Sequence, residues 1–385
     1  MGLPMAAASN EDILVEECGH ARVVTLNRPK LLNALTHLMV ARLRQLYEQW
    51  ECDNRVSLII IKGSGRAFCA GGDVAATFHL AKSGDCSVAK EMSSMESILN
   101  YILGTFTKPY VALLDGIVMG GGAGVSIHGP IRVVTENTVF CMPETVLGFH
   151  PDVGASYFLS HLPGNIGEYA GLTGARLDGA EMLACGLATH YVPSKALLEL
   201  ENALKKFSQG GLGGVRALIN QYATVKVKLQ ERSFLHRLAE IDRCFSKSTV
   251  ELILEELESH GDSCDGWYKA SVENMRRASP LSLKITLKSI RKGRHQPLAD
   301  CLKHEYRLSI RLLDGNFSGD FYEGIRALLV DKDKKPKWNP ASLELVTSDM
   351  VDHFFSPLKD NEASELELPT RFEDCKKRIG IFSKL

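Results

Sequence analysis

Apolar positions recur with two different periods along this chain, and the change from one to the other divides it. Arg22-Val-Val-Thr-Leu26 alternates weakly and reads as a strand that stops at the turn Asn27-Arg28-Pro29. From Thr36 to Trp50 the apolar residues Met39, Leu43, Leu46, Tyr47 and Trp50 fall at helical spacing. Val56 to Ile61 is apolar except for Ser57, the mark of a strand covered on both faces. Gly63-Ser-Gly65 follows, then the loop Ala67-Phe-Cys-Ala-Gly-Gly-Asp73. A helix is expected over about Val88–Leu103, and a strand over Pro109–Leu114 leads into a Gly-rich turn. Two further short strands are expected over Ile131–Thr135 and Thr138–Cys141.

The unit strand, strand, helix thus recurs before residue 195, without a clean sequence repeat. Beyond it, leucine, lysine and glutamate at helical spacing dominate to about residue 330, and a mostly helical region is expected there. The final stretch, with Pro336, Pro340 and Pro369, should consist of loops and short helices. Tyr110 to Ile127 carries only Asp115 as a charge and is just long enough for a membrane-spanning helix. Gly120-Gly121-Gly122 interrupts it and Pro109 and Pro130 bracket it, so a buried strand, a turn and a short helix are expected instead of a span.

Composition narrows the class. Of 385 residues, 45% are apolar and 24% charged, the mix of a soluble globular enzyme rather than a disordered chain. The net charge of −1 gives no field that would select nucleic acid or anionic lipid. No basic run interleaved with aromatics is present, so a nucleic-acid partner is not expected. The 10 cysteines form no C-x-x-C pair and no cluster with histidine, and read as reduced thiols with no metal site.

The ends carry address signals. Met1 to Asn10 lacks the basic start of a secretory signal, and Ala6 breaks the myristoylation pattern begun by Met1-Gly2. Ser383-Lys384-Leu385 reads as a peroxisomal address, which makes the peroxisome the expected compartment and its soluble import receptor an expected partner.

The common nucleophile signatures are missing: there is no G-x-S-x-G elbow, no G-x-x-x-x-G-K-[ST] loop and no H-E-x-x-H. Gly63-Ser-Gly65-Arg-Ala-Phe68 imitates a dinucleotide fingerprint but ends in Phe68 where glycine should stand. What remains is a set of backbone donors and two acids. Gly71-Gly72 and Gly120-Gly121-Gly122 lie near strand ends, where glycine lets a ligand approach the main chain. A helix starting around Gly121 or Gly122 would leave its first amides unpaired and favour negative charge. Two such amides aimed at one carbonyl oxygen form an oxyanion hole, worth about 10²–10³ in rate per donor. Tight packing of turns is the other use of the same glycines.

The second piece is Cys141-Met-Pro-Glu-Thr-Val-Leu-Gly-Phe-His-Pro-Asp152, punctuated by Gly148 and followed by Gly154. Glu144 follows Pro143 at a strand end, and Asp152 follows Pro151. A stiff apolar loop carrying two acids invites unequal proton affinities, so that one carboxyl can accept a proton while the other donates. A helix cap at Glu144 and a turn at Asp152 are the plainer alternatives.

These segments resemble the crotonase (enoyl-CoA hydratase/isomerase) superfamily. The likeness is carried by Asn27-Arg-Pro29 with Leu32-Asn-Ala-Leu35, by Ala67-Phe-Cys-Ala-Gly-Gly-Asp73 and by Gly116-Ile-Val-Met-Gly-Gly-Gly122. Met142-Pro-Glu-Thr, Gly148 and Pro151-Asp-Val-Gly154 resemble one branch more closely, the 3-hydroxyisobutyryl-CoA hydrolases. So do Ala188-Thr-His190, Ser279 to Leu287, Glu305-Tyr-Arg-Leu-Ser309, and Glu323 to Ala327 with Asp331, Asp333 and Pro336-Lys-Trp338, and the likeness covers about residues 12–355.

The resemblance implies an α/β fold, a spiral of repeated ββα units followed by a mostly helical C-terminal region. Its expected divisions are 11–195 with the active site, 196–355 helical, and 356–385 a surface tail. It implies an oxyanion hole at the amides of Gly72 and Gly121 and a catalytic glutamate at Glu144. Asp152 takes the place of the hydrolase branch's aspartate, and Glu96 matches an acid near the pocket; Glu96, Gly121, Glu144 and Asp152 are the expected substrate contacts. Hydratases of the superfamily use two glutamates, and Gly124 stands where the first would be, so the inventory of acids points to hydrolysis. Phe149-His150 and Ala155-Ser156 depart from the hydrolase pattern beside the pocket, and His150 is a further candidate for proton transfer. The expected reaction is hydrolysis of a short 3-hydroxyacyl-CoA thioester, 3-hydroxyisobutyryl-CoA first, in valine breakdown. No cofactor is expected, coenzyme A being part of the acyl-CoA substrate. An enoyl-CoA hydratase or isomerase and a non-catalytic acyl-CoA binding protein are the alternatives. Superfamily members often form trimers or hexamers, and a homo-oligomer is open here because the helical tail could cover that surface.

Overall fold

The computed structural model describes residues 11–81, 86–208, 210–261, 266–359 and 361–371; both chain ends, with Ser383-Lys384-Leu385, lie outside these residues. The strands are β1 (Ile13–Cys18), β2 (Ala21–Leu26), β3 (Leu58–Gly63), β4 (Ala67–Cys69), β5 (Tyr110–Leu114), β6 (Ile117–Met119), β7 (Ile131–Val134), β8 (Val139–Cys141), β9 (Leu177–Asp178) and β10 (His190–Tyr191). They form two sheets, one in the order β1-β2-β3-β5-β7-β10 and one in the order β4-β6-β8-β9. Each turn of the chain gives one strand to each sheet. β3, β5 and β7 stack in parallel in the first, and β4, β6 and β8 stack in parallel in the second. This is the expected spiral of ββα units.

The helices that complete the turns follow from local chemistry. Helix α1 (His37–Cys52) opens at Thr36, whose hydroxyl accepts the Met39 amide, and buries Met39, Leu43, Leu46, Tyr47 and Trp50. Helices α2 (Val74–Ala81) and α3 (Ser87–Gly104) follow β4, and the short α4 (Gly121–Ile127) follows β6. The alternation in β3 is two-sided. Ile59 and Ile61 face the core shared with α1 and α3, while Leu58 and Ile60 face Leu200, Leu204, Val215 and Ile219 on the outer layer. Both faces are therefore dry, which is why the segment is apolar throughout.

The expected strands and helices are present to within a few residues, and β1, β4, β6, β9 and β10 are additional strands. Strand β1 was not expected: it is an edge hairpin with β2 through Gly19, and Glu16 and Glu17 point to solvent, hiding the pattern. The run after Pro109 holds two strands, β5 and β6, one in each sheet, with a bend at Gly116, φ +92°, between them. β4, β6, β9 and β10 are too short to leave a period in the sequence. Among the described residues every regular element after Tyr191 is helical, and no helix is long and apolar enough to cross a membrane. Cys18, Cys52, Cys69, Cys86, Cys141, Cys185, Cys244 and Cys301 are all free thiols. A second apolar cluster joins Phe78 and Ala89 to Phe149, Leu308, Leu312, Phe321 and Phe354, so the helical region packs directly over the edge of the spiral.

Candidate active site

The loop before α1 builds one wall. Leu32 and Asn33 sit at φ +52° and +57°, a conformation asparagine tolerates better than most residues. Buried Asn33 accepts the Arg28 amide and donates to the carbonyls of Ser64 and Ala67, tying this loop to the next one. Arg28 pairs with Asp73 at 3.1 Å, and Leu35 exchanges backbone bonds with Gly71 and Asp73. Residues 70–73 are thereby held from both sides. Gly71, at φ +107°, turns the chain there. Among the described residues no acceptor takes the amide of Gly72.

The opposite wall is the start of α4. The amides of Ala123 and Gly124 bond the carbonyl of Gly120, which leaves the Gly121 amide, first in the helix, without an intrahelical partner. The Gly72 and Gly121 amides are close neighbours: a Cβ built on Gly121 would lie 3.4 Å from the Gly72 nitrogen. The backbone thus presents two unsatisfied donors to one space.

Three carboxyl groups close on the same space. Glu144 begins a single helical turn, Glu144–Leu147, after β8, and a Cβ on Gly120 would stand 3.0 Å from its Oε1. Glu96 projects from α3 and its Oε1 overlies the Cα of Gly121. Asp152 comes from the loop after that turn. All three line one cavity of about 140 Å³ with Gly72 and Gly121, and Met92, Leu147, Phe149, Leu313 and Phe321 supply its apolar surface. Glu96 Oε1 and Glu144 Oε2 are buried without a hydrogen-bond partner among the described residues.

Among the described residues no lysine or arginine lines the cavity, so no positive side chain offsets the cost of burying three acids. Burial, and next the charge of Asp152, hold Glu144 well above the usual carboxylate range. Burial raises Asp152 to about 7. Burial with the Asp152 charge raises Glu96 to about 8. The cluster therefore carries both a proton and a negative charge near neutrality, the state that lets one acid donate while another attacks.

His150 does not reach this space. It is fully buried, its Nδ1 meets the Pro151 carbonyl at 3.1 Å and its Nε2 the Ser309 hydroxyl at 3.0 Å. Burial lowers it to about 3, so the ring stays neutral and packs rather than shuttling protons.

The glycine at 124 is enforced by its neighbours. A Cβ there would lie 2.7 Å from Val153 Cβ and 2.8 Å from Asn100 Oδ1. An acid at this position has no room. Gly124→Ala is expected to destabilise the fold by about 1–3 kcal/mol through overpacking, read as a lower urea midpoint with unchanged slope. Unaltered stability would contradict the close packing. Asn100 itself escaped the sequence reading, although it lies one helical turn after Glu96 and so shares its face. Leu313 and Phe321 escaped it because they come from the distant helical region.

With this geometry in place, likeness to known proteins is informative. The sequence pattern described as enoyl-CoA hydratase/isomerase matches residues 21–355. The chain is 51% identical over 365 residues to "3-hydroxyisobutyryl-CoA hydrolase 1" of Arabidopsis thaliana, covering 94% of this chain and 96% of that one. It is 43% identical over 357 residues to "3-hydroxyisobutyryl-CoA hydrolase, mitochondrial" of Gallus gallus, covering 92% and 91%. Among solved structures, a carnitinyl-CoA dehydratase from Mycobacterium thermoresistibile superposes with a TM-score of 0.84 at 39% identity, over 94% of this chain and all of that one. The peroxisomal compartment and import receptor expected from Ser383-Lys384-Leu385 are corrected by these relatives. The Gallus gallus protein, its Xenopus tropicalis counterpart and a further Arabidopsis thaliana relative are all named mitochondrial, and a three-residue ending is a weaker signal than whole-chain kinship. Spiral, cavity and kinship agree: the chain belongs to the crotonase superfamily of enoyl-CoA hydratases and isomerases, in the branch whose named members include the 3-hydroxyisobutyryl-CoA hydrolases.

Proposed function

We propose that this cavity hydrolyses the thioester of a short 3-hydroxyacyl-CoA, 3-hydroxyisobutyryl-CoA first, and that the chain serves valine breakdown through that reaction. The observation that carries the reading is the convergence of Glu144, Asp152 and two unpaired amides on one small cavity, while the place of a hydratase's other acid is filled by Asn100 and Val153. The thioester oxygen lies between the amides of Gly72 and Gly121, which bind it more tightly as it gains negative charge. Glu144 either attacks the carbonyl carbon or takes a proton from a water that does so. In the first case the C–S bond breaks as an anhydride forms, the thiolate leaves with a proton from a neighbouring acid, and water then cleaves the anhydride. Asp152 orients the substrate hydroxyl or the water. Acids, amides and water suffice for every step, and coenzyme A enters only as part of the substrate. In this reading segment 11–195 carries the chemistry, and segment 196–355 closes the cavity through Leu313 and Phe321.

The test is a hydrolysis panel over 3-hydroxyisobutyryl-, 3-hydroxypropionyl-, 3-hydroxybutyryl- and acetyl-CoA, read as free thiol. Change of enoyl absorbance without thiol release would favour the hydratase alternative, and binding without either would favour an acyl-CoA carrier. Single-turnover hydrolysis in ¹⁸O-water separates the two roles of Glu144. Label in its carboxyl group supports the anhydride, and label in the product acid alone supports the general base.

The pH dependence follows in sign from the raised acids. Glu144 acts ionised in either role, so kcat/KM falls as acidification protonates the cluster. The falling limb is expected well above the ordinary carboxylate range, because burial raises Glu144 together with Glu96 and Asp152, and its apparent value belongs to the cluster. A kcat/KM that stays flat down to pH 5 would rule this out.

A further inference from the structure

We infer that Glu305 and Ser309 are positioning residues that aim Asp152 into the cavity. The inference rests on the hydrolase reading above and adds to it residues that do not touch the substrate. Both lie on the helix Leu298–Asp314, one turn apart, far along the chain from the spiral.

The loop that carries Asp152 is strained. Val153 sits at φ +56° and Gly154 at φ +83°. For a β-branched residue the left-handed region costs about 1–3 kcal/mol and persists only where the surroundings impose it. Here the imposing groups can be named. One Glu305 oxygen accepts the Gly154 amide at 2.6 Å, and the other accepts the amide and the hydroxyl of Ser156 at 2.7 and 2.5 Å. The Ser309 hydroxyl meets His150 Nε2 at 3.0 Å. The His150 ring donates from Nδ1 to the Pro151 carbonyl, so Nε2 is the acceptor and Ser309 the donor. From the other side His128 Nε2 meets the Val153 carbonyl at 2.7 Å.

Asp152 is therefore gripped on both flanks. Residue 150 is tied to Ser309, and residues 154 and 156 are tied to Glu305. All of these groups are buried, so the bonds do not compete with water, and a carboxyl group whose two oxygens accept three donors ties residues 154 and 156 at once. Burial still raises Glu305 to about 8 against the pull of those donors. Released from these ties, residue 153 relaxes to negative φ and turns the preceding carboxyl out of line. A misplacement of about 1 Å is enough to cost about a hundredfold in rate.

The experiment is a double-mutant cycle on the full chain with 3-hydroxyisobutyryl-CoA, comparing the wild type, Glu305→Gln, Asp152→Asn and the double variant. Glutamine keeps the shape but turns an NH₂ toward amides that need an acceptor. Glu305→Gln is expected to lower kcat about a hundredfold. In the Asp152→Asn background it should cost no more than about twofold, because a residue that acts through Asp152 has nothing left to aim. Equal losses in both backgrounds, or no loss in the wild type, overturn the inference alone. A wild type that releases no thiol overturns the hydrolase reading as well. Should Glu305→Gln fail to fold, Ser309→Ala takes its place in the cycle. It leaves Glu305 intact, frees only His150, and is expected to cost about tenfold with the same non-additivity.

Discussion

Glu144→Gln is expected to lower thiol release by about 10³-fold or more while the protein folds as before. Glutamine matches glutamate in shape and fits the narrow space beside Gly120, but it cannot attack as a carboxylate or hold a proton taken from water. Glu96 and Asp152 cannot stand in, since Glu96 is fixed by helix α3 and Asp152 by the loop before Gly154, and neither is free to take the place beside Gly120. Near-normal turnover in the variant would remove Glu144 from the mechanism. The same substitution carries a stability signature of defined sign. Burial raises the folded-state proton affinity of Glu144, so the folded protein favours its neutral form. That contribution is fully present below the unfolded value near 4.5 and is lost as pH rises through the folded value. A permanently neutral side chain escapes the loss. Glu144→Gln should therefore unfold at a higher temperature than the wild type at pH 9, and the two midpoints should converge toward pH 4. Equal midpoints at both pH values would contradict the burial argument.

The second large effect is expected at Gly121. An added methyl group would collide with the Glu96 carboxyl and stand 3.4 Å from the Gly72 nitrogen, crowding both donors at once. Gly121→Ala should reduce kcat by about 10²–10³, the worth of one oxyanion donor. KM should change far less, because these amides gain most of their strength as the oxygen becomes charged. Gly213→Ala is a fitting control, since a methyl group there meets nothing within 4 Å. A Gly121→Ala enzyme with unchanged kcat would mean that its amide does not serve the reacting oxygen.

Several of these features were readable from the chain itself. Val56 to Ile61 announced a strand dry on both sides, and α1 announced its buried face, because burial sets the spacing of apolar residues directly. The glycine clusters and the Pro-Glu and Pro-Asp steps also fit tight turns and a helix cap, and it is the family resemblance, not the local pattern, that singles them out as a site. What stayed hidden depends on contacts between distant segments. Nothing local in Leu313, Phe321 or Glu305 tells that they close or brace a cavity built by residues 70–152. β1 stayed hidden because its exposed glutamates erase the alternation that its buried face would show. Asn100 looked like any polar residue on a helix until the missing side chain at Gly124 gave it a reason.

That filled niche also bears on descent. Regaining an acid at 124 would require shrinking Asn100 and relaxing the turn at Val153 in the same step, since each change alone leaves either a hole or a collision. Single substitutions toward an acid at this point therefore pass through damaged intermediates, much as a ratchet resists one direction of turning. The apolar lining, by contrast, is open to change one residue at a time, since Met92, Leu147, Phe149, Leu313 and Phe321 can each vary in size without moving an acid.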